Sequence, residues 1–189
     1  MHGLIKKAIQ CFVPDTYGRE TWREMAQSAA LPVMQFEAML IYEDTLTEQA
    51  LDATARFLDK PLTEVLEDIG TYLASHPNVE ALRRLLRFGG AHFIEFLYSL
   101  DDLHDRARLA VDDLELPRLT LVRHTENHYS LLCGAACPGW GHVLVGILWV
   151  MADDYGAQLS VHSTFGTTNQ ASTPPFLTAR LEAVRCPLR

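Results

Sequence analysis

The chain has 189 residues, 48% of them hydrophobic, and a formal net charge of −8. That length suits one domain with a sizeable core, and the acidic balance argues against nucleic-acid phosphate or an anionic membrane as partner. No apolar run reaches membrane-spanning length; the longest, Val143 to Ala152, is far too short.

The start, Met1-His2-Gly3-Leu4-Ile5-Lys6-Lys7, lacks the apolar core and cleavage site of a signal peptide. Four cysteines (Cys11, Cys133, Cys137, Cys186) are too few for a disulfide scaffold, so a cytoplasmic protein with reduced thiols is expected. Gly3 to Val13 carries Leu4, Ile5, Ala8, Ile9 and Phe12 at helical spacing, with Pro14 as its stop and Asp15-Thr16-Tyr17-Gly18 as a turn. A second helix is predicted from Arg19 to Ala30 with Trp22, Met25 and Ala29 inward, and a third segment over Phe36 to Tyr42. Thr47 is placed to cap a helix reaching Leu58, with Leu51, Thr54/Ala55 and Leu58 on its inner side. After Lys60-Pro61 the next stripe is Leu62, Val65, Leu66, Ile69 and Leu73. Pro77 ends it, Asn78 is placed to cap Val79 to Phe88, and Gly89-Gly90 precedes a long helix.

That helix, Ala91 to Ala107, aligns Phe93, Phe96, Leu97, Leu100, His104 and Ala107 on one side. An imidazole in an apolar stripe needs either a hydrogen-bond partner or a metal. Periodicity alone leaves both open.

From Leu116-Pro117 the pattern changes to period two. Arg118 to Arg123 and His128 to Cys133 read as a hairpin around His124-Thr125-Glu126-Asn127. Gly139 to Tyr155 returns to helix, with Val143, Leu144, Ile147, Leu148 and Met151 packed and Gly156 closing it. Strands are expected at Ala157 to Ser163 and Phe176 to Val184, around a polar loop. Helices over about 1–110, then an antiparallel sheet with one helix across it over about 116–186, make a single α+β domain.

Several stretches together resemble the haem-nitric oxide/oxygen-binding (H-NOX) family, which includes the haem domain of the soluble guanylate cyclase β subunit. They are Met1-His2-Gly3-Leu4-Ile5, Asp15-Thr16-Tyr17-Gly18, Ile41-Tyr42-Glu43-Asp44, Ser99 to Asp105 followed by Pro117, and Gly141 to Leu148. The likeness runs from the N-terminus to about Ser163. It implies an H-NOX fold and haem b bound through His104 as proximal iron ligand, with Asp101 or a backbone carbonyl accepting from the other ring nitrogen. It also implies that Pro117 presses on the macrocycle, that Leu100 lines it, and that Leu4, Leu73 and Val143 stand at the gas-binding face. An apolar face offers no donor to iron-bound oxygen, so nitric oxide, then carbon monoxide, are the expected ligands. The resemblance further implies output through a separate histidine kinase or cyclic-dinucleotide enzyme.

One departure concerns the family's Tyr-x-Ser-x-Arg motif, which holds the haem propionates. It falls on Cys133-Gly134-Ala135-Ala136-Cys137, or with a gap on His128 to Leu132, and neither stretch supplies the arginine. Losing such a charge-assisted contact costs about 2 kcal/mol; Arg118 and Arg123 are the nearby substitutes. The competing reading is a zinc or thiol-redox sensor built on Cys133 and Cys137, with His128, His142 and Cys186 as companions. Catalysis is not expected. The pairs Asp101-Asp102, Asp112-Asp113 and Asp153-Asp154 point apart on helices, and no phosphate loop, G-x-S-x-G or H-E-x-x-H motif occurs.

Overall fold

A computed structural model describes residues 11–29, 44–87, 89–110, 116–134, 139–166 and 176–185. Leu4, the segment Phe36 to Tyr42, Cys137 and Cys186 therefore lie outside the described residues.

Helix α1 (described over 11–17) does not stop at Pro14 but runs on to Tyr17. A proline lacks its own amide but still accepts, and the Gly18 amide donates to the Pro14 carbonyl at 3.1 Å. The chain turns at Gly18, whose φ of 99° suits glycine. Helix α2 (Arg19–Ser28) buries Trp22, Met25 and Ala26 on one face, while Ala29 is only half-buried. Helix α3 (Asp44–Leu58) begins three residues before Thr47, which is therefore an interior residue and not its cap. Its Thr54 is wholly buried, with the hydroxyl donating to the Ala50 carbonyl at 2.8 Å. Helix α4 (Leu62–Ser75) buries Val65, Leu66, Ile69, Gly70, Tyr72 and Ala74; Leu62, expected inward, is 38% exposed in its first turn.

Asn78 does not cap the next helix. A single 3-10 turn (Pro77–Val79) intervenes before α5 (Glu80–Arg87), and the Asn78 side-chain Nδ2 donates to the Asp15 carboxylate at 2.9 Å. The Tyr72 hydroxyl donates to the same oxygen at 2.6 Å, so α1, α4 and the turn share one carboxylate. That Tyr72 bond, against the opposing push of burial, holds the Asp15 carboxyl below its ordinary 3.8, and Asn78 adds to the lowering. A lowered folded pKa means stabilisation present above the unfolded value and lost as pH falls through the folded one. Asp15→Asn is expected to cost about 1.5–3 kcal/mol in urea unfolding at pH 7. The gap to the unaltered chain should close as the pH drops below 3.8.

The sheet holds β1 (Leu119–Arg123), β2 (His128–Cys133), β3 (Ala157–Gly166) and β4 (Phe176–Arg185), all pairs antiparallel, in the order β1-β2-β4-β3. Helix α8 (Trp140–Asp154) is buried over every residue from Gly141 to Leu148, as an all-round apolar helix must be. It lies against α4 and also touches β3 and β4. Two glycines set the α4–α8 distance. A Cβ at Gly70 would stand 2.0 Å from the Val143 carbonyl oxygen, and one at Gly146 2.0 Å from that of Glu67. His142, also buried on α8, meets Glu67 at 3.2 Å beside this contact. Among the described residues no helix is long and apolar enough to cross a membrane. Helices followed by a small antiparallel sheet give the α+β class expected from the sequence.

Candidate functional site

The expected continuous helix over Ala91 to Ala107 is two helices, α6 (Phe93–Ser99) and α7 (Leu103–Ala110). Serine and aspartate favour local bonds over helix interiors, and Ser99-Leu100-Asp101-Asp102 supplies three of them. The Ser99 hydroxyl donates back to the Phe96 carbonyl at 2.7 Å. The amides of Leu100, Asp101 and Leu103 then reach carbonyls three residues back, at 3.2, 3.4 and 3.1 Å. A turn of this kind is tighter than an α-helical one. Helix α7 restarts with the Arg106 amide on the Asp102 carbonyl at 3.0 Å.

His104 therefore stands in the first turn of α7, half-buried, with Leu100, Leu103 and Ala107 buried around it. Its Nδ1 lies 2.6 Å from the Leu116 carbonyl oxygen. A carbonyl only accepts, so Nδ1 carries the proton and Nε2 keeps its lone pair. Of the two acceptors expected from the sequence, the backbone carbonyl takes this role. Asp101 does not: its Oδ1 accepts the Leu121 amide at 2.7 Å. Because β1 is the outermost strand next to β2, that amide belongs to the free edge, and Asp101 covers it. Two bonds thus staple the α6–α7 corner to β1 and to the segment leading into it. Pro117, buried, follows directly on Leu116.

The other expected residues gather elsewhere. Val143 is 8% exposed where α8 crosses α4, and Leu73, half-buried, lies one turn beyond Gly70 at the same crossing. Neither offers a hydrogen-bond donor. Cys133 is buried at the end of β2, its thiol 3.7 Å from the Gly134 carbonyl oxygen. His128 occupies the opposite end of that strand, roughly 16 Å away at 3.3 Å per residue, with Nδ1 2.9 Å from the Thr125 hydroxyl. It is therefore not a companion of Cys133. His142 is committed to the α4–α8 contact described above.

Arg123, at the hairpin turn, donates from Nε to the Thr125 carbonyl at 3.1 Å and is likewise remote from Cys133. Arg118 is the better placed of the two substitutes, since its carbonyl accepts the Gly134 amide at 2.9 Å. Its exposed side chain, however, alternates to the face opposite buried Leu119, which pairs with Cys133. A cleft of about 450 Å³ opens between α2 and α3, lined by Ser28, Ala29, Ala53, Arg56 and Phe57, and among the described residues none of the expected site residues lines it.

A single imidazole nitrogen suits an iron whose other ligands come from a porphyrin. His104 presents one neutral imidazole nitrogen amid apolar side chains. Among the described residues no group of three or more His, Cys, Asp or Glu side chains is arranged to hold a metal ion. Sequence reading missed the helix break and Arg106, and it offered a backbone carbonyl as acceptor without saying that Leu116 supplies it; only the break had a signal, the Ser-Leu-Asp-Asp run.

A family model described as Haem-NO-binding matches residues 2–163. The chain is similar to soluble guanylate cyclase 89Db of Drosophila melanogaster, 22% identical over 163 residues, covering 86% of this chain and 24% of that protein. It is also similar to soluble guanylate cyclase gcy-31 of Caenorhabditis elegans, 26% identical over 146 residues, covering 77% of this chain and 21% of that one. The chain thus spans under a quarter of the length of the curated relatives it matches. An Fe(II) unliganded H-NOX protein from K. algicida superposes with a TM-score of 0.77 at 16% identity, over 100% of both chains. An H-NOX protein from S. oneidensis in the Fe(II)NO ligation state gives 0.73 at 17% identity, over 98% of this chain and 100% of that one. At these identities the likeness establishes the fold.

Proposed function

Because the chain belongs to the haem-NO-binding family, we propose that it is a gas-sensing domain that holds haem b through His104. The observation that carries this reading is the His104 ring itself, its Nδ1 proton given to Leu116 and its Nε2 lone pair left over. Bound haem would supply an iron that takes a diatomic gas and whose bond to imidazole responds to that gas.

The chain's own residues do the rest. The Leu116 carbonyl fixes the ring's tautomer and orientation and raises its basicity. Pro117 and Leu100 are proposed to pack on the macrocycle, with Leu4, Leu73 and Val143 at the gas face. Leu73 and Val143 carry no donor, which favours nitric oxide and carbon monoxide over oxygen. Displacement of His104 would be felt at β1 through the Leu116 and Asp101 bonds. A separate effector, a histidine kinase or cyclic-dinucleotide enzyme, is proposed to read that change. Residues 1–189 are taken as one such domain.

The test is the visible spectrum of the purified chain, reconstituted with haem and reduced. An intense Soret band that moves on adding nitric oxide is expected. A colourless protein carrying stoichiometric zinc, or one whose Cys133 and Cys137 titrate as a redox pair, overturns the reading in favour of a thiol or zinc sensor.

A further inference from the structure

Ser99 closes α6, and in an unbroken helix its carbonyl would accept the Leu103 amide. That amide instead donates to Leu100 at 3.1 Å. Arg106 takes the released carbonyl: its Nη2 donates to it at 2.8 Å and lies 3.3 Å from the Ser99 hydroxyl. Ser99 is also confined from behind, since a Cβ at Gly89 would stand 2.0 Å from its Oγ. Arg106 is half-buried, and its Nε is enclosed with no hydrogen-bond partner among the described residues.

The apolar repeat does not notice the break. Phe93, Phe96, Leu97, Leu100, Leu103 and Ala107 are all buried on either side of it. They could be written on one straight helix, and the sequence alone reads as one, with His104 in the stripe in place of Leu103. Continuity is thus favoured by the apolar pattern, and the break by the local bonds of the Ser-Leu-Asp-Asp run together with one guanidinium.

We propose that Arg106 is a positioning residue for His104. By holding the Ser99 carbonyl it keeps α6 and α7 as two helices and so sets where the imidazole meets Leu116 and presents Nε2. Two arrangements compete for one amide. In the first, Leu103 donates to Leu100 while Arg106 holds Ser99. In the second, Leu103 donates to Ser99, the guanidinium is released, and α7 turns relative to α6 as the tight turn relaxes. The unpaired Nε weakens the first arrangement and narrows the gap between the two. His104 rides on α7 and follows it.

This inference rests on the haem reading for its meaning, so the experiment has a haem-free arm and a loaded arm. Without haem, amide hydrogen exchange at Leu103 is compared in the unaltered chain, Arg106→Ala and Arg106→Lys. The alanine variant should shift exchange about fivefold, the equivalent of one net hydrogen bond, and the lysine variant, which keeps a donor, should return toward the unaltered value. With haem, Arg106→Ala should move the iron–imidazole stretching frequency in resonance Raman and the ratio of five- to six-coordinate nitric oxide spectra. A folded Arg106→Ala protein with unchanged Leu103 exchange and an unchanged stretch overturns the proposal, as does a lysine variant shifted as far as alanine. Where alanine does not fold, Arg106→Gln, too short to reach Ser99, is read in the same way. A chain that takes no haem fails the haem reading, and the exchange arm still decides this one.

Discussion

His104→Gly is expected to weaken haem binding by at least about 100-fold, since even loss of an outer partner of a metal-bound histidine costs 10–100-fold. The Soret band of the reconstituted protein should collapse, and added imidazole should restore it by occupying the vacated space. Far-UV circular dichroism should barely change, because the ring is half-buried and makes one hydrogen bond, to Leu116. A variant that keeps its band without imidazole would show that the iron is held by some other residue. Free imidazole matters to the design: it returns the nitrogen lone pair without returning the tie to α7. Nitric oxide binding would then leave β1 unmoved in the rescued protein, which separates holding the cofactor from transmitting its state.

The second large effect is one of packing. Gly146→Ala puts a methyl 2.0 Å from the Glu67 carbonyl oxygen and 2.8 Å from the Thr71 nitrogen. Both atoms are backbone, and neither can swing aside. Gly70→Ala does the same against the Val143 carbonyl on the opposite helix. Overpacking typically costs 1–3 kcal/mol where side chains can yield, so about 3 kcal/mol or more is expected for each, and a fall in melting temperature of roughly 6–12 °C. The two should not add. Once α4 and α8 have been forced apart by one methyl, the second finds room, and the double variant should cost well under the sum. Additive losses in a thermal melt would mean that the two contacts yield independently.

The hairpin of β1 and β2 was legible because its alternation and its polar turn are both local. The stripe on α4 was legible too, as was α8, because apolar spacing needs no knowledge of what covers it. Other features depend on distant partners. Nothing near Phe176 says that β4 inserts between β2 and β3, since strand order is decided by pairing across the chain. Asn78 has the chemistry of a helix cap, but it lies inside the 3-10 turn, and its side-chain Nδ2 donates to Asp15, far away in sequence. The long central helix was misread for a physical reason: a tight turn at Leu100 to Asp102 barely disturbs the phase of the apolar residues.

At the site, His104 was legible through its place in the stripe and through the resemblance. A backbone carbonyl was one of the two acceptors expected for its other nitrogen, but that Leu116 supplies it was not legible, because a backbone oxygen carries no signature in a sequence. Arg106 looked like an ordinary exposed charge. Its use appears only once the break has left a carbonyl without a helical donor.

Helix α8 has a consequence for how the molecule comes into being. From Gly141 to Leu148 it is buried between α4 of the helical part and the sheet, and that stretch has no polar face to leave in water. Neither half can therefore reach its final form first and wait for the other. Unfolding is therefore expected to be a single cooperative transition, with a disturbance at the crossing of α4 and α8 felt in both halves together.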